Sequence, residues 1–404
     1  MIAVIGAVAK SQRMLPLLAI NAIVMMAVSL GLWLMPSISA CPPQAVVHIT
    51  FALGILPMIL AAIVYFAPVL TRGSGAPNWL QALPLMAWLG AGIILAGFSG
   101  MLGLVFASNV SVMFSGSAAA VIMIWMMKRS RRMLGSPHPC FAWYLAALAF
   151  LGTALLAVPA MAQWPSERAM LRLFHLHVNL LGFVGLTAIG TLQVLLPTAA
   201  GYADGAVAGR LSKDLKFACG GVLLMAIGSA CIAEFQTENA RLIWAKSIAL
   251  MGAAMYLIAP LRMGIHWCNG CGRRIASLNG ATPSLLLSCI GLVGLVLAGV
   301  GHMLGFLPGR DASPGYIVAF LLPLVSGAVT QLLPVWLRPG SQREWHEQLR
   351  GRLGRLAGLR ALLMVSGGFA FSLGWHAGLW VGLAGLLLFA IVAVSALLEP
   401  SIRR

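Results

Sequence analysis

Charge is scarce in this sequence, and acidic residues are the scarcest of all. Charged residues make up 9% of the 404 positions, and only nine are Asp or Glu. A soluble domain usually carries roughly a quarter charged residues. Because 60% of the residues are hydrophobic, the chain has more apolar surface than a water-soluble fold can bury. The composition therefore excludes an ordinary soluble enzyme and favours lipid as the solvent.

Familiar motifs of soluble proteins are also missing. The sequence has no Gly-rich phosphate loop, no Ser-His-Asp set and no dinucleotide fingerprint. Its seven cysteines are scattered, mostly in or beside apolar runs, which argues against a disulfide framework. The net charge of +17 comes from basic residues spread between apolar runs, without a basic aromatic stretch. Nucleic acid is therefore not an expected partner.

What the sequence does contain is apolar runs of membrane-crossing length, roughly twenty residues each. They lie near 14–36, 44–70, 80–106, 109–127, 141–162, 173–198, 216–235, 240–261, 283–306, 314–337, 358–376 and 379–398. Basic residues concentrate at every second junction, so both termini are predicted to be cytoplasmic. We predict an all-α polytopic protein of about twelve helices, one transmembrane domain over 1–404, in a bacterial inner membrane.

The N-terminal run resembles a signal peptide in some respects. Lys10 and Arg13 precede it, and it ends at a lipoprotein-like Cys41. Because the run is longer than an ordinary signal core, we expect an uncleaved first span.

Spans two, six and ten share features that indicate an internal repeat. His48 lies twenty residues before Pro68, and His177 lies twenty residues before Pro197. The sequence Thr-Gln-Leu-Leu-Pro at 330–334 echoes the end of span six. We predict three pseudo-symmetric four-helix units, over 14–130, 140–263 and 282–398.

Five histidines are predicted to share one layer near the outer face, namely His48, His175, His177, His302 and His376. Ionisable groups in a membrane are functional candidates, and neutral imidazole ligates metals and haem iron. Snorkelling to the headgroups is the favoured explanation for His302 and His376. Residues two apart on a helix point about 200° apart, so His175 and His177 are predicted to face different sites.

The segment 175–185, His-Leu-His-Val-Asn-Leu-Leu-Gly-Phe-Val-Gly, followed by Leu196-Pro197, resembles the haem-ligating helix of haem–copper oxidase subunit I, particularly the cbb-type branch. The resemblance implies twelve helices in three arcs and two haems on opposite faces of the His-x-His helix. It also implies an outer histidine on the second helix, a position that His48 matches. In that family the pair lies on span ten rather than six. A looser similarity is to the NnrS family of haem- and copper-containing membrane proteins linked to nitric oxide stress.

These features lead us to expect one or two b-type haems. His48 and either His175 or His177 would ligate one iron, and the remaining histidine, with His302, would serve a second site. Copper stays open, because the three-histidine copper site of the oxidases is not reproduced. All nine acids fall outside or at the ends of the predicted spans, which argues against oxygen reduction and proton pumping. Electron transfer or nitric oxide binding is expected, with respiratory or c-type cytochrome subunits as partners; whether the protein is an enzyme stays open.

Two further segments carry alternatives. His266, Cys268 and Cys271 fall in a predicted cytoplasmic loop and offer three metal ligands or a redox dithiol, although cysteine as filler in a Gly-rich turn is the simpler explanation. The basic stretch 341–360, with Trp345, predicts a surface helix attracted to anionic lipid, with partner docking as the other option.

Two rival functions fit the same sequence. Internal repeats and proline-interrupted helices are also typical of transporters, here for a metal ion or small solute. A structural subunit of a respiratory complex, without any cofactor, is the other rival.

Overall fold

A computed structural model describes residues 14–35, 41–275, 277–307, 312–340 and 342–399; Lys10 and Arg13, on which the signal-peptide comparison depends, lie outside them. The described residues form helices and no strands, which confirms the all-α prediction. The helices are α1 Met14–Leu34, α2 Pro43–Leu70, α3 Asn78–Phe98, α4 Leu104–Arg131, α5 Cys140–Gln163, α6 Arg168–Ala199, α7 Val207–Glu234, α8 Asn239–Cys271, α9 Thr282–Met303, α10 Ser313–Leu337, α11 Arg343–Leu353, α12 Ala357–Ser372 and α13 Gly378–Leu398.

The chain is a polytopic integral membrane protein. Within the described residues, eleven helices are long and apolar enough to cross a membrane, or twelve if α11 and α12 together form one broken span. These two helices meet at a bend of 44°. Because α12 has 16 residues, it is about 24 Å long, short of the roughly 30 Å hydrocarbon core. The predicted span 358–376 therefore counts as a crossing only together with α11.

The three spans marked by the sequence repeat also share a backbone feature. Each contains a π-helical segment: Ile49–Ile55 in α2, Val178–Gly185 in α6 and Ile317–Leu321 in α10. In each span this segment ends 12 or 13 residues before a proline, which is Pro68 in α2, Pro197 in α6 and Pro334 in α10. The same spans are the most buried, with 56%, 89% and 78% of an 18-residue apolar stretch inside the protein, against at most 44% for the other candidate spans. Short π-helical segments are frequent at functional sites. The bounds of the three four-helix units stay a prediction.

The chain divides into two compact units. The histidine unit comprises Ala40–Thr191 and Gly205–Ala259, and the terminal unit comprises Met1–Ser39, Leu192–Asp204 and Pro260–Arg404. In the histidine unit, each helix from α2 to α7 packs on the next helix along the chain. In the terminal unit, α9 packs on α10 and α12, α12 packs on α13, and α11 packs on α10 and α13.

Two helices extend furthest beyond the predicted runs. Helix α8 continues to Cys271, so His266 and Cys268 lie in a helix, and their prediction as loop residues was wrong. It ends where Gly272 adopts a left-handed φ of 53°, a conformation that commonly terminates helices. Helix α7 begins at Val207, so Asp214, predicted to lie in a loop, is helical and fully buried. Both errors arise because a count of apolar residues stops at the polar turns with which these helices begin or end.

Candidate functional site

His48 stands on α2 immediately before its π-helical segment. Its Nδ1 lies 2.7 Å from the carbonyl oxygen of Gln44. Because a carbonyl only accepts hydrogen bonds, Nδ1 must carry the proton, and Nε2 keeps a free lone pair. The half-buried ring packs against Phe98 at the end of α3, with the centroids 4.9 Å apart. The ring is therefore held in place with its ligating nitrogen available.

His175, near the start of α6, has the same arrangement. Its Nδ1 lies 2.8 Å from the carbonyl oxygen of Ala154 on α5. Because that carbonyl accepts, Nδ1 carries the proton and Nε2 again keeps the lone pair. The side-chain amide nitrogen of Asn179 lies 3.1 Å from Nε2 and 3.4 Å from Nδ1, so it sits over the ring rather than in line with the Nε2 lone pair. It also donates to the His175 carbonyl oxygen, at 3.2 Å.

His177 faces another helix. Its Nδ1 lies 2.9 Å from the carbonyl oxygen of Leu173, and its Nε2 lies 3.3 Å from Ser229 Oγ on α7. His175 therefore points towards α5 and His177 towards α7, as the helical geometry of a His-x-His pair predicts.

The three histidines thus share one tautomer, with Nδ1 donating to a backbone carbonyl. Metal-ligating histidines almost always donate their other N–H to such a group, which fixes ring orientation and raises ligand basicity. Other histidines differ: His138 Nδ1 accepts from the Cys140 amide at 3.3 Å, and His346 Nε2 lies 2.8 Å from the Arg338 carbonyl oxygen. The shared pattern separates the predicted ligands from these two.

His48 and His175 also interact electrostatically with each other. The helical segments that carry them, Pro43–Ile55 and Arg168–Gly185, are not a closely packed pair.

Glycines position α6 against its neighbours. A Cβ at Gly182 would lie 2.8 Å from Phe150 Cγ on α5, and a Cβ at Gly185 would overlap Tyr256 Oη. The Tyr256 hydroxyl donates to the carbonyl oxygen of Leu181, at 3.4 Å, inside the π-helical segment. Close packing at these glycines brings α6 near enough to α5 for His175 to reach Ala154.

The remaining predicted ligands lie in the terminal unit. His302 is on the last turn of α9, and its buried Nδ1 has no hydrogen-bond partner among the described residues. In His48, His175 and His177 a hydrogen bond from Nδ1 to a backbone carbonyl fixes the tautomer, and His302 lacks this bond.

The His266, Cys268 and Cys271 set is not gathered around one point. Cys268 is exposed, whereas Cys271 is buried in an apolar cluster beside Trp267. His266 Nε2 lies 3.0 Å from Asp204 Oδ1 instead. In the described ranges, no three His, Cys, Asp or Glu side chains could hold a metal ion together. A three-ligand copper or zinc site is therefore not formed by these residues alone.

Sequence reasoning missed three neighbours of the histidines. Asn179 had a usable signal, because it stands four residues after His175 and so on the same helical face. Phe98 and Ser229 come from other helices, and nothing in the local sequence pairs them with a histidine. No protein-family model matches the chain, and no curated protein matches it.

Proposed function

We propose that this membrane protein binds b-type haem in its histidine unit and serves electron transfer or the binding of a diatomic gas such as nitric oxide. One observation carries the proposal: His48, His175 and His177 each hold Nδ1 on a backbone carbonyl and so present Nε2 as a ligand. Three such imidazoles on two of the most buried spans are a donor set that suits haem iron.

His48 and His175 are the residues proposed to hold the first haem. They interact electrostatically with each other, and each presents Nε2 as a ligand. A haem b held by both would supply a reversible one-electron centre without an open position for a gas. Phe98, which already packs on His48, would contribute an apolar wall.

His177 is proposed to serve a second site on the α7 side. Its Nε2 faces Ser229 rather than the other two histidines. A haem held by a single histidine keeps one coordination position open, which a diatomic gas requires. Copper at this site stays a secondary proposal, because its ligand set would need groups beyond His177.

The cellular setting is proposed from the sequence. Basic residues at alternate junctions favour cytoplasmic termini in a bacterial inner membrane, and an electron carrier there needs respiratory or c-type cytochrome partners. Proton pumping is not proposed, since all nine acids lie outside or at the ends of the predicted spans. Asp214, which the structure places within helix α7, is buried but has interaction partners.

The direct test is a dithionite-reduced minus oxidised visible spectrum of the full chain, purified in mild detergent from cells supplied with haem. A b-type difference spectrum is expected, and a further change on adding carbon monoxide or nitric oxide would identify an open iron. The control is the protein with His48, His175 and His177 all changed to alanine. A colourless wild-type protein would refute the haem proposal and favour metal or solute transport instead.

A further inference from the structure

The junction between α4 and α5 is basic and has no acidic residue near it in the sequence. Its basic residues are Arg72, after α2, and Lys128, Arg129, Arg131 and Arg132, at the end of α4. The first acidic residue of the whole chain is Glu167. Within the described residues, neither Arg131 nor Arg132 forms an ion pair. Their charges are therefore available to an anion from outside the chain.

The other basic segment of the sequence, 341–360, differs in this respect. The surface helix predicted there is present as α11. Arg343 Nε lies 2.8 Å from Glu347 Oε1. Arg352 Nη1 lies 2.7 Å from Glu399 Oε2. Acids of the same chain thus balance these two charges, which leaves the junction of α4 and α5 as the stronger candidate for binding an anion.

Arg129 and Arg131 have different contacts at this junction. Arg129 donates from Nε to Thr71 Oγ1 at 2.6 Å and from Nη2 to the Ser74 carbonyl oxygen at 2.5 Å. It therefore fastens the turn that follows α2. Arg131 is exposed and makes no hydrogen bond from its side chain to any described residue. Of the two, Arg131 is the arginine that can take a ligand.

Arg131 lines a cavity between the end of α4 and the start of α5. The cavity has a volume of about 280 Å³ and opens to the outside. Arg131 and His138 both line it, and Phe141, Ala142 and Leu145 on the first turns of α5 form an apolar wall. Positive charge and apolar surface thus face one accessible space.

His138 supplies a hydrogen-bond donor at the same cavity. Its Nδ1 accepts from the Cys140 backbone amide at 3.3 Å, so the neutral imidazole carries its proton on Nε2. The ring is half-exposed, and Nε2 has no hydrogen-bond partner among the described residues. The charge of Arg72 also acts on this ring. The cavity therefore offers an N–H donor beside an arginine, in a positive potential.

The cavity lies at the surface of the membrane. Helices α4 and α5 have 28 and 24 residues, so they are about 42 and 36 Å long. Each exceeds the roughly 30 Å hydrocarbon core and crosses it alone, so the loop between them emerges in the headgroup layer. Leu134 in this loop is fully exposed. The charge pattern predicts this face to be cytoplasmic, and anionic lipids give the cytoplasmic leaflet its negative surface potential.

We propose that the cavity between α4 and α5 binds the phosphate of an anionic phospholipid through Arg131 and the Nε2–H of His138. Phe141, Ala142 and Leu145 would contact its glycerol and the beginning of its acyl chains. A free phosphate offers the same chemistry. Since a water molecule takes roughly 30 Å³ in the liquid, the five heavy atoms of a phosphate would fill at most about half of the cavity, which favours the lipid.

The site does not depend on the proposed haem. Ala154, which contacts His175, is on the same helix as Cys140 at the start of α5. The two positions are 14 residues apart in the sequence, which corresponds to about 21 Å along a helix. Lipid binding and haem binding can therefore fail separately.

The test uses the full chain in non-ionic detergent at high ionic strength, which screens diffuse attraction between exposed charges. Phosphatidylglycerol or phosphatidylcholine is titrated in mixed micelles while the unfolding temperature is followed. Phosphatidylglycerol is expected to raise it more, because the choline cation would meet the basic residues of the junction. Arg131→Gln should weaken phosphatidylglycerol binding about tenfold, as loss of a charge-assisted hydrogen bond implies. Equal effects of the two lipids, or unchanged affinity in Arg131→Gln, would overturn the proposal.

Arg132→Gln is the matched control. It removes the next arginine, which is exposed but does not line the cavity, and its lipid affinity should match that of the wild type. An equal loss in the two variants would mean diffuse attraction and overturn the site. His138→Ala should weaken phosphatidylglycerol binding roughly two- to tenfold, since it removes one neutral donor. Inorganic phosphate forms the third arm, and stabilisation equal to that by phosphatidylglycerol would overturn the assignment to lipid.

Discussion

His48→Ala and His175→Ala are each expected to abolish the difference spectrum of the six-coordinate haem, whereas His177→Ala is expected to retain it. Loss of either axial imidazole removes one of two iron ligands, and alanine offers no replacement. His177 faces Ser229 on α7 and should affect only the signal induced by carbon monoxide or nitric oxide. The measurement is the reduced-minus-oxidised spectrum per mole of folded protein, with and without the gas.

His138→Ala is the control for this series. His138 lies outside the predicted spans, and its Nδ1 accepts a hydrogen bond rather than donating one. Burial, followed by the nearby charge of Arg72, lowers the pKa of its imidazole, so its removal at pH 7 deletes a neutral side chain. The spectrum should not change. If His177→Ala removed the six-coordinate signal and His175→Ala preserved it, the axial pair would be His48 and His177, and the pairing proposed from this structure would be wrong.

The outcome also separates the competing functions. A transporter that uses these histidines would lose transport in the variants but show no haem spectrum in any of them. A structural subunit without a cofactor would assemble equally well with all three histidines replaced. Each function therefore predicts a different result from the same set of proteins.

The overall fold could be predicted from the sequence because lipid imposes a simple rule. Backbone polar groups must be satisfied within each crossing segment, so a run of about twenty apolar residues becomes a helix. The rule predicts where the spans lie. The spacing of His48 from Pro68, and of His177 from Pro197, identified two of the three spans that share a π-helical segment. The opposite directions of His175 and His177 followed from helix geometry alone.

The details of the site could not be predicted in the same way. The placement of His48 relative to His175 depends on how α2 and α6 are arranged by the helices between them in the chain. The partners of the rings, Ala154 and Ser229, come from α5 and α7 and are 21 and 52 residues away in sequence. Apolar periodicity carries no information about such contacts.

Gly221→Ala is expected to destabilise the protein strongly, because Gly221 is where α7 and α8 touch. A Cβ there would lie 2.5 Å from the Tyr256 backbone nitrogen and 2.7 Å from the Gly252 carbonyl oxygen. Backbone atoms cannot rotate away, so the helices must separate. Small residues allow this kind of close approach in lipid, and overpacking costs about 1–3 kcal/mol. The measurement is the unfolding temperature in detergent, together with the yield of monodisperse protein.

Gly209→Ala is the matched control, on the same helix and with the same added methyl group. Its Cβ would meet no heavy atom within 4 Å, so its unfolding temperature should equal or slightly exceed that of the wild type, as alanine favours the helix. Helix α7 carries Ser229, which faces His177. The separation caused by Gly221→Ala should therefore weaken the gas-induced signal assigned to His177 more than the reduced-minus-oxidised signal assigned to the His48/His175 haem. Equal stability of the two variants would show that α7 and α8 do not pack through Gly221.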